Sequence, residues 1–327
     1  MKYSVLLPVV PVRPEQAVLF ANIVQWTGAE RLWQGQSLVL DSHHTAQWLA
    51  GIGIRVPTGF GVSLMPMRSP YQAAFEARSV ALATGHSVVA GFGPGPEVFQ
   101  KALLGRPYAS PLLASREYVR IVRALVSGED AMVDGEYFSV SARLVPRPAP
   151  PVSVGLGVLR PKMAALAGEL ADQAITWMCS ADHLGESLIP AMRAADRKLE
   201  QPVRTTAIVP LALAREGRDV TALVEAACGS HLKAPHYQDA LHKAGITVSG
   251  QGGGQDAARL LEAGVFQYGT VEQIHDRLEE FRAAGVDEVV LNTIGVAQVH
   301  GPKAAAQDLL EILGSATGVS AADIGLK

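Results

Sequence analysis

The chain has 327 residues, 48% of them hydrophobic and 18% charged, with a formal net charge of −3 at pH 7. That composition buries a large core and argues against intrinsic disorder. A near-neutral balance without a lysine- or arginine-rich block leaves no electrostatic footprint for nucleic acid. Cys179 and Cys228 are the two cysteines, which is no basis for a disulfide framework or a zinc site. No apolar stretch approaches the roughly 20 residues that span a bilayer, so a cytoplasmic protein without a membrane partner is expected.

Taken in chain order, residues 3–10 read as a first strand; the apolar run at Met1 to Pro8 lacks a small-residue cleavage pattern. A helix is expected over 14–30, where Pro14 suits a first helical turn. Residues 37–41 form a short apolar run ending in polar residues and read as the second strand. The third strand is 58–65 and the fourth 86–92, with a helix over 71–83 between them. Strand five is 152–156, followed by a helix at 161–171. Strand six is 174–178, seven is 203–214 and eight is 288–294, with helices over 182–199 and 271–284. Eight strands alternating with helices predict a parallel sheet. The count favours closure into a (β/α)8 TIM barrel over a doubly wound open sheet.

Two intervals exceed a simple βα unit. Residues 93–151, after strand four, hold a helix over 115–125 and end in Val145-Pro146-Arg147-Pro148-Ala149-Pro150-Pro151, which cannot be helical. Residues 215–287, after strand seven, include the flexible run Ser249-Gly250-Gln251-Gly252-Gly253-Gly254. With no repeat and no linker, both read as insertions in a single domain over 1–327. Long loops over a barrel's C-terminal face build pockets and lids.

Three sequences carry chemistry. Asp41-Ser42-His43-His44 follows the second strand, and polar groups at the C-terminal ends of barrel strands are where active sites lie. Histidine titrates near neutral pH, so either His43 or His44 is a candidate proton donor; the plain alternative is a loop cap with two surface histidines. Gly91-Phe92-Gly93-Pro94-Gly95-Pro96-Glu97 lets backbone approach a ligand, but Pro94 and Pro96 make it a poor phosphate cradle; a tight βα turn is the plain alternative. Gly155-Leu156-Gly157-Val158-Leu159-Arg160-Pro161 runs from strand into helix. There the helix N-terminus and the Arg160 guanidinium favour an anion such as phosphate; a glycine turn is the alternative. The remaining histidines have no metal-ligand spacing, and no metal is expected.

Three segments together resemble the bacterial luciferase-like superfamily. The first is Gly61-Val62-Ser63-Leu64-Met65-Pro66 through Gly91-Phe92-Gly93-Pro94-Gly95. The second is Pro151-Val152-Ser153-Val154-Gly155-Leu156-Gly157 through Leu166-Ala167-Gly168-Glu169-Leu170-Ala171-Asp172. The third is Gly269-Thr270-Val271-Glu272-Gln273-Ile274 through Ala284-Gly285-Val286-Asp287-Glu288-Val289-Val290-Leu291. The resemblance implies a (β/α)8 barrel that binds reduced FMN, or the 5-deazaflavin coenzyme F420, at the strand C-termini. Ala234-Pro235-His236-Tyr237 with Leu241 and Gly245, and Gly93-Pro94-Gly95, look more like the deazaflavin branch.

By that resemblance Asp41 orients a histidine or bonds the cofactor ring. In relatives the histidine directly follows the aspartate; here Ser42 stands between. Ser63, Leu64 and Met65 would back the ring, with a non-proline cis peptide placed by position at Ser63–Leu64. Gly93, Pro94 and Gly95 would meet the ring and side-chain region. Gly155, Leu156, Gly157, Val158, Leu159 and Arg160 would hold the phosphate. Arg143, Arg147 and Lys162 would line the path of the deazaflavin's acidic tail. The implied activity is hydride transfer from reduced coenzyme F420 to an activated C=C, C=N or C=O bond of a small molecule or peptide, with modified-peptide biosynthesis as one setting. The alternatives are an FMN-dependent monooxygenase and a non-catalytic barrel subunit, the latter suggested by Ser42. A homodimer is expected, with the apolar helix around 73–80 as a candidate face.

Overall fold

The computed structural model describes residues 1–195 and 202–317. In chain order the elements are β1 (Lys2–Leu6), α1 (Val18–Thr27), β2 (Leu32–Gln34), α2 (Ser42–Gly51), β3 (Thr58–Leu64), α3 (Pro70–Thr84) and β4 (Val88–Gly93). Then come α4 (Glu97–Leu104), α5 (Pro111–Val126), β5 (Ala131–Asp134), β6 (Ser139–Ala142), β7 (Val152–Val158), α6 (Pro161–Leu170), β8 (Gln173–Trp177), the one-turn α7 (Ala181–His183) and α8 (Ile189–Ala195). The chain continues through β9 (Arg204–Leu213), α9 (Val220–Leu232), α10 (Pro235–Lys243), α11 (Gly254–Glu262), β10 (Gln267–Gly269), α12 (Val271–Ala284), β11 (Glu288–Asn292), α13 (Ile294–His300) and α14 (Pro302–Thr317). The alternation is that of the α/β TIM-barrel class, with long insertions after β4 and β9, as the sequence predicts. Among the described residues no helix is long and apolar enough to cross a membrane.

The chain forms two compact units. The first comprises Met1–Trp33, Thr176–Pro190 and Thr205–Lys327. Its strands run in the order β10-β9-β11-β1-β2, and every pair is parallel. Residues of β9 and β11 are buried on both faces, as in parallel sheets covered by helices. At the N-terminal end of these strands the buried Glu288 carboxylate accepts from Ser4 Oγ at 2.6 Å, Trp33 Nε1 at 2.7 Å and Arg31 Nε at 3.2 Å. This polar plug is structural, as that end of a barrel usually is. Helix α12 starts on a capping box between Thr270 and Gln273 and stops where Gly285 takes a φ of 99°.

The second unit comprises Gln34–Ile175 and Ala191–Arg204. Here β4 pairs in parallel with both β3 and β7. Helices α2 and α3 cover this sheet through Ala46, Phe60, Val80, Ala81 and Val88. In the insertion after β4, buried Glu117 of α5 accepts from the backbone N–H groups of Glu136, Tyr137 and Phe138. One carboxylate thereby holds the turn of the antiparallel β5–β6 hairpin.

Several boundaries differ from the sequence reading. Residues 37–41 are not a strand: Ser37 Oγ accepts from Val39 N and Leu40 N at 3.1 Å each, a local turn that competes with sheet pairing. Leu38 and Val39 are consequently exposed, and the second strand is β2, upstream. Strand β1 stops at Leu6. The helix expected over 14–30 begins as a 3-10 turn, Pro14–Ala17, and ends at Thr27, where Gly28 is left-handed. The helix expected over 182–199 is α7, a π-helical turn (Leu184–Leu188) and α8; residues 196–199 lie outside the described residues. The sequence reading lacked α2, α4, the β5–β6 hairpin, α9, α10, α11, β10, α13 and α14. In α3, Ala73, Ala74, Ala77 and Val80 face the core, so the exposed apolar groups are Tyr71, Phe75 and Leu82.

Candidate active site

The candidate catalytic and cofactor-binding residues singled out from the sequence fall in the second unit, whereas His236, Tyr237, Leu241 and Gly245 fall in the first. Strand β3 carries a bulge between Phe60 and Ser63, and the cis peptide lies at Gly61–Val62. It does not lie at Ser63–Leu64, because Ser63 and Leu64 have already resumed regular pairing with Phe92 and Gly93. The bulge turns Val62 over the ends of β4 and β7. A Cβ at Gly93 would stand 2.9 Å from Val62 Cγ2, and one at Gly157 3.2 Å from Val62 Cγ1. Glycine is needed at both positions for Val62 to approach this closely. Gly61, Val62, Leu64, Pro94, Gly95 and Gly157 are half-buried. The result is a low apolar floor at the C-terminal ends of three strands, where ligands bind in this fold class.

The other expected floor residues separate by strand alternation. Ser63 and Met65 are buried, and Met65 Sδ accepts from Ser115 Oγ at 3.8 Å. Leu64 N donates to Gln36 Oε1 at 3.2 Å. Gly95 O accepts from Gln100 Nε2 at 2.7 Å, and the same amide's oxygen accepts from Tyr108 N at 2.9 Å. Buried Gln100 thus anchors the Gly93-Pro94-Gly95 loop.

Asp41 is the N-cap of α2. Its Oδ1 accepts from His43 N at 2.8 Å and His44 N at 3.3 Å, and its Oδ2 accepts from Arg68 Nη2 at 2.8 Å. Buried Arg68 also lies 3.0 Å from Glu76 through Nε. The His43 ring, 3.4 Å away through Nδ1, holds the Asp41 carboxyl well below the usual carboxylate range. His43 N–H and the Arg68 charge add to this, and partial burial opposes it. The two histidines part company: His43 is buried and stacks on Phe60 with centroids 3.9 Å apart and planes at 20°, whereas His44 is exposed.

Strand β7 leads into α6 through the expected anion sequence. Gly155, Leu156 and Val158 are buried in the sheet, and Gly157, Leu159 and Arg160 are half-buried. Helix α6 has Arg160 at its N-cap and no side-chain cap bond, so its first turn keeps its positive potential for a ligand. Arg143, Arg147 and Lys162 are exposed. The floor, its neighbouring glycine loop and the α6 N-terminus together fit a flat heteroaromatic ring bearing a phosphate.

Sequence reasoning missed Val62, Gln34, Gln36 and Arg68. Gln34 is the last residue of β2, with a buried Nε2 that has no partner among the described residues. The only signal was the polar Gln34-Gly35-Gln36 directly after the apolar Leu32-Trp33. Arg68 needed the tertiary fold to reach Asp41.

The luciferase-like monooxygenase family model matches residues 1–288. The F420-dependent glucose-6-phosphate dehydrogenase of Nakamurella multipartita is 30% identical over 166 residues, 47% of this chain and 49% of that protein. The 5,10-methylenetetrahydromethanopterin reductase of Methanolobus tindarius is 25% identical over 154 residues, 47% of each chain. The aligned regions thus span about half the length, or less, of the curated relatives it matches. The coenzyme F420 dependent tetrahydromethanopterin reductase of Methanopyrus kandleri superposes with a TM-score of 0.71 at 18% identity, covering 95% of this chain and 97% of that one, a likeness of fold. The match over residues 1–288, joined to the barrel order of the strands, means that this chain belongs to the luciferase-like monooxygenase family.

Proposed function

We propose that the chain, as one domain over 1–327, is a cytoplasmic, homodimeric oxidoreductase that uses reduced coenzyme F420 to transfer a hydride to an activated C=C, C=N or C=O bond. The observation that carries this reading is the apolar floor of Val62, Leu64 and Gly157, next to a helix N-terminus without a side-chain cap. The names of the two partial relatives support the deazaflavin over FMN.

When bound, the reduced deazaflavin supplies a hydride, two electrons with one proton. The chain's own residues do the rest. Val62 and Leu64 would seat the ring, on a floor that the glycines at 93 and 157 let Val62 complete. Arg160 and the first turn of α6 would hold the phosphate. Asp41 fixes α2 and Arg68 in place. Exposed His44, in contact with solvent, holds the balancing proton for the substrate, and His43 positions the turn through Phe60 and Asp41.

The test is a titration of the protein with each oxidised cofactor, followed by ring absorbance or fluorescence. Saturable deazaflavin binding, with FMN at least tenfold weaker, is expected. The reverse order would replace this reading with an oxygen-activating FMN monooxygenase, and no binding of either with a non-catalytic barrel subunit.

A further inference from the structure

The first unit carries a ring cluster that the proposed cofactor site does not use. Trp177 is the last residue of β8, so it stands at a strand's C-terminal end, where this fold class places ligand-contacting groups. The next residue, Met178, has a φ of 56°, a left-handed conformation rarely taken by a non-glycine residue. The Trp177 ring lies 5.3 Å from that of His231 on α9, edge-on at 64°. His231 lies 5.1 Å from Tyr237 on α10 at 89°, and Tyr237 4.5 Å from His236 at 41°. Trp177 Nε1 is buried with no hydrogen-bond partner among the described residues.

Three physical facts follow from this arrangement. The rings stand edge to face or tilted and offer an apolar surface with polar tips on Trp177 and Tyr237. An indole N–H buried without an acceptor is costly, and a ligand that brings an acceptor removes the cost. Burial, with His236 nearby, pushes the His231 imidazole down to about 4, so at neutral pH it is an uncharged hydrogen-bonding group. The cluster itself holds no Lys, Arg, Asp or Glu. A carboxylate placed against Trp177 and His231 would lose hydration, and the uncharged His231 offers it no countercharge; a cation would meet the donor end of the indole.

We propose that Trp177, His231 and Tyr237 form a ligand-recognition wall in the first unit that selects an uncharged carbonyl or carboxamide on an apolar skeleton over the corresponding carboxylate.

The probe pair is cinnamamide and cinnamate, which share a skeleton and differ in charge. Binding to the full chain is read by saturation-transfer NMR, without turnover. Cinnamamide is expected to bind saturably, with cinnamate at least tenfold weaker. Trp177→Phe, which keeps the ring and removes the N–H, should weaken cinnamamide about tenfold and leave the thermal melt and the deazaflavin titration unchanged. His231→Gln, neutral but without the ring, gives a second reading should Trp177→Phe fold poorly; it too should weaken cinnamamide and preserve the preference against cinnamate. Equal binding of the two probes, no binding of either, or wild-type affinity in both variants would overturn the wall. Amide selectivity in a protein that binds neither deazaflavin nor FMN would instead overturn the hydride-transfer reading and leave the wall standing.

Discussion

Helices α2 and α6 both begin near strand ends in the second unit, and their N-termini are built in opposite ways. At α2 the chain supplies its own anion: Asp41 accepts two backbone N–H groups and an Arg68 N–H. At α6 a cation, Arg160, occupies the cap position and makes no side-chain cap bond. Both helices present the same free N–H groups and the same positive end of the dipole. The difference lies in who satisfies them. An internally capped terminus stabilises the fold, whereas an uncapped one keeps N–H groups that the phosphate of the proposed cofactor would accept from.

The largest expected effect separates the two histidines in the first turn of α2. His44→Asn should lower kcat by roughly 10²–10⁴ with the thermal melt unchanged, the range for loss of a general acid. His43→Asn should instead lower the melting temperature, because it removes the ring stacked on Phe60. Equal kinetic losses in the two variants would contradict the assignment of the proton to His44. Next comes Asp41→Ala, which breaks the internal cap and leaves buried Arg68 with Glu76 as its one remaining carboxylate partner among the described residues. A loss of about 2–3 kcal/mol is expected in a urea melt, from the cap and the uncompensated charge together.

Arg160→Asp would turn α6 into a copy of α2. Stability should rise by about 0.5–1 kcal/mol, while affinity for a phosphate-bearing cofactor falls about a hundredfold, equivalent to about 2.7 kcal/mol. Opposite signs in the two measurements are the signature of a terminus reserved for a ligand; a fall in both would mean that Arg160 is structural. The smallest effect is on pH dependence. The Asp41 carboxyl is depressed in the folded state, so its stabilisation is present above its ordinary value of 3.8 and is lost as pH falls below that. The stability gap between wild type and Asp41→Asn should therefore narrow below about pH 4. His231, lowered from 6.5 to about 4, loses stability earlier, as pH falls from 6.5 toward 4. A gap that stays constant to pH 2.5 would show that Asp41 keeps an ordinary carboxyl.

Much of the architecture was legible. The long apolar runs at β3, β4, β7, β8, β9 and β11 lie within a few residues of where the sequence places them. A strand covered on both faces must be apolar throughout, and that signal survives without a structure. The second strand was not legible: Leu32-Trp33-Gln34 is three residues long, while 37–41 offers as many apolar residues. What separates them is the Ser37 hydroxyl, which satisfies Val39 N and Leu40 N locally.

Composition, the βα alternation and the glycine-bearing strand ends by themselves determined the fold class and the region of the candidate site, because periodicity and glycine placement are local properties of the chain. Only the tertiary structure decided which of those residues share a surface. It set Val62 over Gly93 and Gly157, buried His43 and exposed His44, joined Arg68 to Asp41, and brought Trp177 to His231 and Tyr237. Each of these depends on a contact between residues far apart in sequence or on which face of an element is covered, and neither is encoded in any short stretch of sequence.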